Sequence, residues 1–380
     1  MNYYIHIPFC RSKCKYCHFA SFSWMEDLLV ERYLGFLKRE IRDFFSNHPI
    51  GSEPDGKFSI YFWWWTPSIL RIEELEGILS EFKLISSING FQNQSCNWEL
   101  DPEINSGWRK ADICEITLEA NPEFITREYV EWLKRIWVNR ISMGVQTLNE
   151  ESLEEIWRCK RATILSALDI LEESGFENVA LDFIIGLPYV KKWETKADIE
   201  MLLNRYKTIK HISAYMLEEW KYPQSWKELS LDEGELWWEY AEVADFLESI
   251  GFARYEISNF AKNGHECLHN SWYWNHTEYK GFWLSAASFL DNMRFANAQN
   301  FIGYYTGAID YEEELEDEDL KLERLIFDWR TVWLPAKNIK NHEKLKEFKD
   351  DFLISEKDDN ISVTNKWAAI ADYIFKELFL

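Results

Sequence analysis

Three cysteines within eight residues govern how the N-terminus of this chain can fold. Cys10, Cys14 and Cys17 follow directly on a short strand-like run, Tyr3 to Ile7, in the spacing C-x3-C-x2-C. A loop of three thiolates suits an iron–sulfur cluster, because thiolate is the soft ligand such clusters take. Three ligands are one fewer than an electron-transfer cubane uses. One iron is then left open, as catalytic metal sites keep a position free. The competing reading is a zinc knuckle with His18 as fourth ligand. Zinc sites pair C-x2-C with a second ligand pair, and none follows here.

The rest of the chain bounds the setting of that loop. Its 380 residues suffice for one large domain and a smaller one. The net charge of −23, from 65 acidic and 42 basic side chains, argues against sequence-independent binding to nucleic acid or anionic membrane. No apolar run approaches membrane-spanning length and the first strand begins at the N-terminus, so a soluble, cytoplasmic protein without a signal peptide is expected. The outlying Cys96, Cys114, Cys159 and Cys267 are scattered and read as buried thiols of a reducing compartment.

Strands and helices alternate along most of the chain. Leu28 to Phe45 reads as an amphipathic helix with Leu29, Tyr33, Leu34, Leu37, Ile41 and Phe44 on one face. Ser46 to Lys57 is a loop, Phe58 to Phe62 a strand, and Arg71 to Phe82 a helix. Ile116 to Glu119 is a strand, with a helix opening near Thr126. Arg140 to Gln146 is a strand before a helix from Glu150. Asn178 to Ile185 and His211 to Met216 complete the set. With the cysteine strand this makes six strands in βα units around a parallel sheet. Six are fewer than a closed eightfold barrel needs. Polar residues cluster after the strands, where such folds place their active sites.

The cysteine motif and its lead-in, Tyr4-Ile5-His6-Ile7-Pro8-Phe9, resemble the radical S-adenosylmethionine (SAM) superfamily. They are most similar to the branch that holds oxygen-independent coproporphyrinogen III dehydrogenase and the HemW-type haem chaperones. The resemblance implies an α/β fold, a partial (β/α)6 radical SAM barrel with a small winged-helix-like C-terminal domain. It implies a core over residues 1–310 and the small domain over 311–380. It further implies a [4Fe–4S] cluster on Cys10, Cys14 and Cys17, whose open iron takes the amino and carboxylate groups of SAM. Carried over residue by residue, the SAM-binding pattern falls on Tyr4, Tyr16, Trp64, Trp65, Thr66, Glu119, Gln146, Arg158 and Asp182. An arginine suits the SAM carboxylate, and carboxylates suit its amine and ribose hydroxyls. Taken singly, Arg158 reads as a surface ion pair and Asp182 as a strand-end cap. Their joint placement at strand ends behind the cluster motif favours the cofactor.

Two further stretches carry the resemblance, Arg254 to Phe260 and His269-Asn270-Ser271-Trp272-Tyr273-Trp274. His269 is a candidate axial haem ligand, since imidazole suits iron; a histidine bonded in a structural turn is the alternative, and His265 and His276 lie nearby. An acidic run, Glu312 to Asp319, reads as a solvated helix face or linker. Beyond it come a helix, a second helix from His342 to Phe352, a hairpin with Asp358-Asp359-Asn360 at its turn, and a final helix from Ala368 to Leu380.

Composition conflicts with the resemblance at one residue type. There are 20 Trp and only 15 Gly, so glycine makes up about 4% where roughly 7% is usual. The family pattern Gly-Gly-Gly-Thr-Pro stands here as Trp63-Trp64-Trp65-Thr66-Pro67. Trp137, Trp157, Trp283, Trp333 and Trp367 also replace family glycines, whereas Trp274 matches a family tryptophan. Glycine at 63–65 lets the backbone approach the methionine end of SAM, and three indoles would fill that space. One reading is UGA codons, glycine in the source organism, rendered as tryptophan; the other is a degenerate paralogue with a blocked pocket.

The two branches of the family differ in ways this chain can report. The dehydrogenase carries an extension ahead of the cluster strand and a fourth cysteine two residues after the third. Here the strand starts at Tyr3 and that position is Phe19. Both differences, with the His269-Asn270 signature, favour the chaperone over radical oxidative decarboxylation of coproporphyrinogen. The implied partners are haem, a haem-accepting protein such as a membrane respiratory enzyme, and an electron donor for the cluster. A homodimer is one assembly state, and no nucleic acid is expected.

Overall fold

The computed structural model describes residues 1–17, 22–23, 27–48, 57–63, 67–88, 113–217, 223–226, 230–331 and 334–379. The chain divides into two compact units. Residues 1–13, 19–142 and 277–315 form the first, and residues 14–18, 143–276 and 316–380 the second. The expected loop from Ser46 to Lys57 and the positions Trp64, Trp65, Thr66 and Trp333 lie wholly or mostly outside the described residues.

In the first unit β1 (Asn2–His6) leads into β2 (Phe9–Cys10), which pairs in parallel with β3 (Phe22–Ser23). Then come α1 (Asp27–Asn47), β4 (Phe58–Trp63), α2 (Ile72–Ile88), β5 (Ile113–Ala120) and α3 (Arg127–Arg135). The strand β6 (Arg140–Gln146) passes into the second unit after Ser142. There follow α4 (Glu150–Glu155), α5 (Arg161–Glu173), β7 (Val179–Ile185), α6 (Glu194–Arg205), β8 (Ile209–Met216), α7 (Glu233–Ser249), β9 (Ala253–Glu256), β10 (Asn259–Ala261) and α8 (Leu268–Trp274). The chain re-enters the first unit through β11 (Tyr279–Phe282), β12 (Ala287–Leu290), β13 (Met293–Asn297), α9 (Phe301–Tyr305) and β14 (Ile309–Glu314). It ends in the second with α10 (Asp317–Thr331), β15 (Leu334–Pro335), α11 (His342–Asp350), β16 (Ile354–Lys357), β17 (Asn360–Val363) and α12 (Ala371–Phe379).

All six expected strands form, as β1, β4, β5, β6, β7 and β8. In the first unit the strand order is β14-β13-β12-β11-β1-β4-β5, with β1 parallel to both β4 and β11. In the second it is β6-β7-β8-β10-β9, with β7 parallel to β8 and the β9–β10 hairpin antiparallel beyond it. The five residues of β1 are all buried, as expected for a parallel strand covered on both faces. The helix α1 buries Tyr33, Leu34, Leu37, Ile41 and Phe45, while Leu29 stays 40% exposed, so the apolar stripe begins one turn later than the periodicity suggests.

Two features depart from expectation. The acidic run is not one helix face: Glu312–Glu314 end β14, whose six residues are all exposed, and Asp317, Glu318 and Asp319 occupy the first turn of α10. There the carboxylates complement the positive end of the helix dipole. The antiparallel strands β11–β14 were also not anticipated. The C-terminal segment, by contrast, follows its expected order. Its sheet β15-β17-β16 is antiparallel, and Asp358 and Asp359 both take positive φ (52° and 61°) at the tight turn between β16 and β17. That is the twist-matched hairpin turn such residues favour.

One glycine is required by close approach. Gly281 lies opposite Tyr4 in the β1–β11 register, and a Cβ on it would stand 2.3 Å from both the Tyr4 ring and the Ala287 carbonyl oxygen. Gly35, on an exposed part of α1, has nothing within 4 Å. Gly281→Ala is expected to lower stability by about 1–3 kcal/mol through overpacking. Gly35→Ala is expected to raise it by about 0.5–1 kcal/mol through helix propensity. Denaturant unfolding of both variants checks the pair, and equal effects would refute the close-approach argument.

Candidate functional site

The cysteine loop is built from buried thiols. Cys10 closes β2, and Cys10, Cys14 and Cys17 are each about 5% exposed. None of the three is in a disulfide. The loop turns where the Cys17 amide donates to the Cys14 carbonyl at 3.1 Å. The Cys10 thiol donates to the Ser12 carbonyl at 2.9 Å, and the Cys14 thiol faces the Trp157 carbonyl at 3.9 Å. Among the described residues no group of three or more His, Cys, Asp and Glu side chains gathers as a single metal ion needs. The donor set itself is three soft, buried sulfurs within eight residues of sequence, which fits an iron–sulfur cluster.

Within the second unit, Tyr16 belongs to that loop. Its phenol is pushed well above the ordinary tyrosine value by burial and by Cys14, against the lowering pull of Arg158. Its ring packs on the cluster of Ile156, Leu187, Val190 and Trp226. The Arg158 guanidinium donates to the Gly144 carbonyl, two residues before Gln146. A Cβ at Gly144 would lie 2.8 Å from the Gln146 amide nitrogen and 3.1 Å from the Arg158 guanidinium. Gln146 ends β6 with a φ of 66°, a conformation that non-glycine residues adopt rarely and that clusters at functional sites. Just beyond it, Asp198 accepts the Leu148 amide at 3.0 Å, and burial pushes its carboxyl up to about 6. Tyr16, Gln146 and Arg158 are thus brought together within the unit.

Within the first unit, Tyr4 points its hydroxyl to accept the Ala287 amide at 2.8 Å, and burial drives its phenol far above the ordinary range. The Trp63 ring meets Tyr4 edge-on at 5.6 Å. Glu119 is the penultimate residue of β5 and accepts the Tyr61 hydroxyl at 3.2 Å. Asp182 differs from expectation: it is the fourth of seven residues of β7, not a strand end, and is half-buried opposite Ser213 of β8. Trp64, Trp65 and Thr66 lie outside the described residues. His269 is the second residue of α8 and 5% exposed.

Sequence reasoning missed the contacts that hold the loop. The Lys15 ammonium pairs with Glu155 at 2.7 Å, the Trp226 indole N–H donates to the same carboxylate oxygen at 2.8 Å, and the Lys15 amide donates to the Ile156 carbonyl at 3.3 Å. The partners are 140 and 71 residues apart, so no local pattern announces them. The hydrogen bonds from Lys15 and Trp226 hold the Glu155 carboxyl below its ordinary 4.5. A depressed carboxylate stabilises the fold above its unfolded value and loses that contribution as pH falls through its folded value. With both side chains about a quarter exposed, the pair is worth about 0.5–1 kcal/mol. Glu155→Gln is expected to lose that amount at pH 7. The gap to the parent chain should close as pH falls below the folded-state carboxyl value. Thermal unfolding across pH 3–7 measures it, and a gap independent of pH would refute the assignment.

Comparison with known proteins agrees with this geometry. Residues 4–202 match the Radical SAM superfamily, a span that contains the three cysteines, Tyr16, Gln146 and Arg158. The haem chaperone HemW of Bacillus subtilis is 32% identical over 305 residues, covering 77% of this chain and 72% of the relative. HemW of Escherichia coli is 27% identical over 294 residues, covering 75% and 69%. Coproporphyrinogen III oxidase (HemN) from Escherichia coli, a radical SAM enzyme, superposes with a TM-score of 0.74 at 18% identity, over 98% of this chain and 88% of that one. That superposition supports the expected mixed α/β fold with a partial barrel. A [4Fe–4S] cluster and SAM are the cofactors of this family, and the three-thiol loop fits them. By the match over half its length and by its identity to the curated relatives, the chain belongs to the radical SAM superfamily and, within it, to the HemW family of haem chaperones.

Proposed function

We propose that this protein is a radical SAM haem chaperone, which binds haem and passes it to a haem-requiring partner. The reading rests on one observation, the identity to curated HemW haem chaperones over three quarters of the chain. The loop agrees with it, since Phe19 stands where the related dehydrogenase has a fourth cysteine. The likeness to HemN supports the fold alone.

A bound cluster, reduced by an electron donor, would supply the electron for reductive cleavage of SAM. The chain's own residues bind and orient. Cys10, Cys14 and Cys17 supply the thiolates, and Lys15, Glu155 and Trp226 hold the loop that carries two of them. Arg158 offers a fixed cation for the SAM carboxylate. Tyr4, Tyr16, Glu119, Gln146 and Asp182 are the proposed contacts of its remaining polar groups, and Trp64, Trp65 and Thr66 complete the proposed set. His269 is the proposed axial ligand of haem. It is buried in α8. A haem-accepting protein, an electron donor and a self-paired state complete the proposed partners. Among the described residues no helix is long and apolar enough to cross a membrane.

Replacing any one of Cys10, Cys14 or Cys17 with Ala is expected to abolish the visible absorption of the anaerobically reconstituted cluster. Arg158→Ala is expected to weaken SAM binding about tenfold or more, the cost of losing a charged hydrogen bond. Both follow from absorption spectra and equilibrium binding. The reconstituted protein should take up haem, seen in its Soret band, and leave coproporphyrinogen III unchanged in the presence of SAM and reductant. Clear decarboxylation would overturn the chaperone reading. His269→Ala is expected to remove haem uptake, and undiminished uptake would move the ligand to His265 or His276.

A further inference from the structure

Among the described residues six helix ends share one geometry, α11 among them, where the amide of Phe352 (φ 60°) bonds to Lys349 and that of Leu353 to Phe348. After α5, α7 and α9 the chain leaves through Gly175, Gly251 and Gly307, with φ of 64°, 86° and 74°. Each glycine amide bonds back three residues, and the next amide bonds back five. These pairs are Gly175 to Glu172 and Phe176 to Leu171, Gly251 to Glu248 and Phe252 to Leu247, and Gly307 to Tyr304 and Ala308 to Gly303. This termination places its pivot residue in the left-handed region and normally uses glycine there, because a Cβ is penalised. The helices α3 and α4 end the same way, but the pivots are Trp137 (φ 70°) and Trp157 (φ 63°). Their amides bond to Lys134 and Glu154, and those of Val138 and Arg158 to Leu133 and Leu153.

A third tryptophan is more strained. Trp283 has φ 108°, beyond the small left-handed basin open to side chains. It is fully buried, its indole N–H has no hydrogen-bond partner, and its ring centroid lies only 3.3 Å from that of Tyr33. Buried aromatic pairs ordinarily keep centroids about 4.5–7 Å apart. The site is too small for an indole.

The residue type is selective. Among the described residues, four of the thirteen non-glycine positions at positive φ are tryptophan. The chain's 25 Phe and 18 Tyr contribute only Phe352 and Tyr189. Bulk alone does not produce that bias. We infer that at positions 137, 157 and 283 the polypeptide made in its own host carries glycine, from UGA codons that specify glycine there and tryptophan in another reading of the code. Trp193 is set apart, because it caps the start of α6, where glycine is only modestly favoured. Trp63 and Trp367 have no positive φ, and backbone geometry does not bear on them.

The replacement matters at the site. The main-chain carbonyl of residue 157 faces the Cys14 thiol, and the Trp157 indole, 59% exposed, lies 5.3 Å from the Lys15 ammonium. Glycine keeps the carbonyl and removes the ring that stands beside Lys15.

Peptide mass spectrometry on protein purified from its native host tests this through the tryptic peptides 136–140, 141–158 and 281–294. Glycine is expected at all three positions, and tryptophan at any one overturns the inference. In protein made with the sequence as printed, Trp137→Gly, Trp157→Gly and Trp283→Gly are each expected to raise Tm by about 2 °C or more. A fall in Tm for any of them overturns the argument from geometry. Neither readout involves cluster, SAM or haem, so failure here is distinct from failure of the haem chaperone reading.

Discussion

The first unit depends on the burial of β1 between two parallel neighbours. A strand covered on both faces has no solvent face to relieve misfit, so its register with β4 and β11 fixes where every side chain stands. Tyr3 meets the rings of Phe45, Phe58 and Phe82 on one side at 5.1–5.7 Å. Tyr4, on the other, reaches the Ala287 amide because Gly281 leaves room for its ring. The strand then delivers the chain to Pro8, Phe9 and Cys10. Tyr33 reinforces that exit by donating its hydroxyl to the His6 carbonyl at 2.7 Å. Placement of the first cysteine is therefore a consequence of strand packing.

The α1 carboxylate Glu40 ties the same region together. It accepts from the Lys280 ammonium at 3.0 Å, the Trp283 amide at 2.9 Å, the Asn297 amide at 3.1 Å and the Tyr304 hydroxyl at 2.6 Å. A carboxylate with four donors on β11, β13, α9 and the turn after β11 is well satisfied, and that satisfaction makes its partial burial tolerable. It also explains why the turn at residue 283 cannot relax around a large side chain. Glu40 holds its amide and Asn297 holds its carbonyl at 2.7 Å.

How far this was legible in the sequence follows from the range of each interaction. The six expected strands announce themselves as apolar runs closed by polar residues, and the cysteine spacing is local, so both could be read directly. Thr126 at the start of α3 was legible because its hydroxyl caps the Tyr129 amide three residues on. Asp182 was misplaced because a polar residue in a strand looks the same at its middle as at its end. The strands β11–β14 are four to six residues each and carry little apolar alternation. β14 in particular is Ile309-Asp310-Tyr311-Glu312-Glu313-Glu314, exposed throughout. Its charge reads as a solvated helix, yet charge is also what keeps an edge strand from pairing with another chain. Lys15, Glu155 and Trp226 were invisible because their contacts span long separations.

The segment around His269 joins the ligand proposal to the C-terminal helix. The rings of Tyr273 and Trp274 each lie 5.3 Å from Phe327 of α10, and Arg330 stands 5.3 Å over the Trp274 ring. His276 bonds Glu323 at 2.8 Å, and Arg324 donates to the Asn275 carbonyl at 2.6 Å. Helix α8 is only seven residues long, too short to be stable without such packing. Its fold is thus borrowed from α10, whose Trp329 is itself anchored to the Ala371 carbonyl at 2.8 Å.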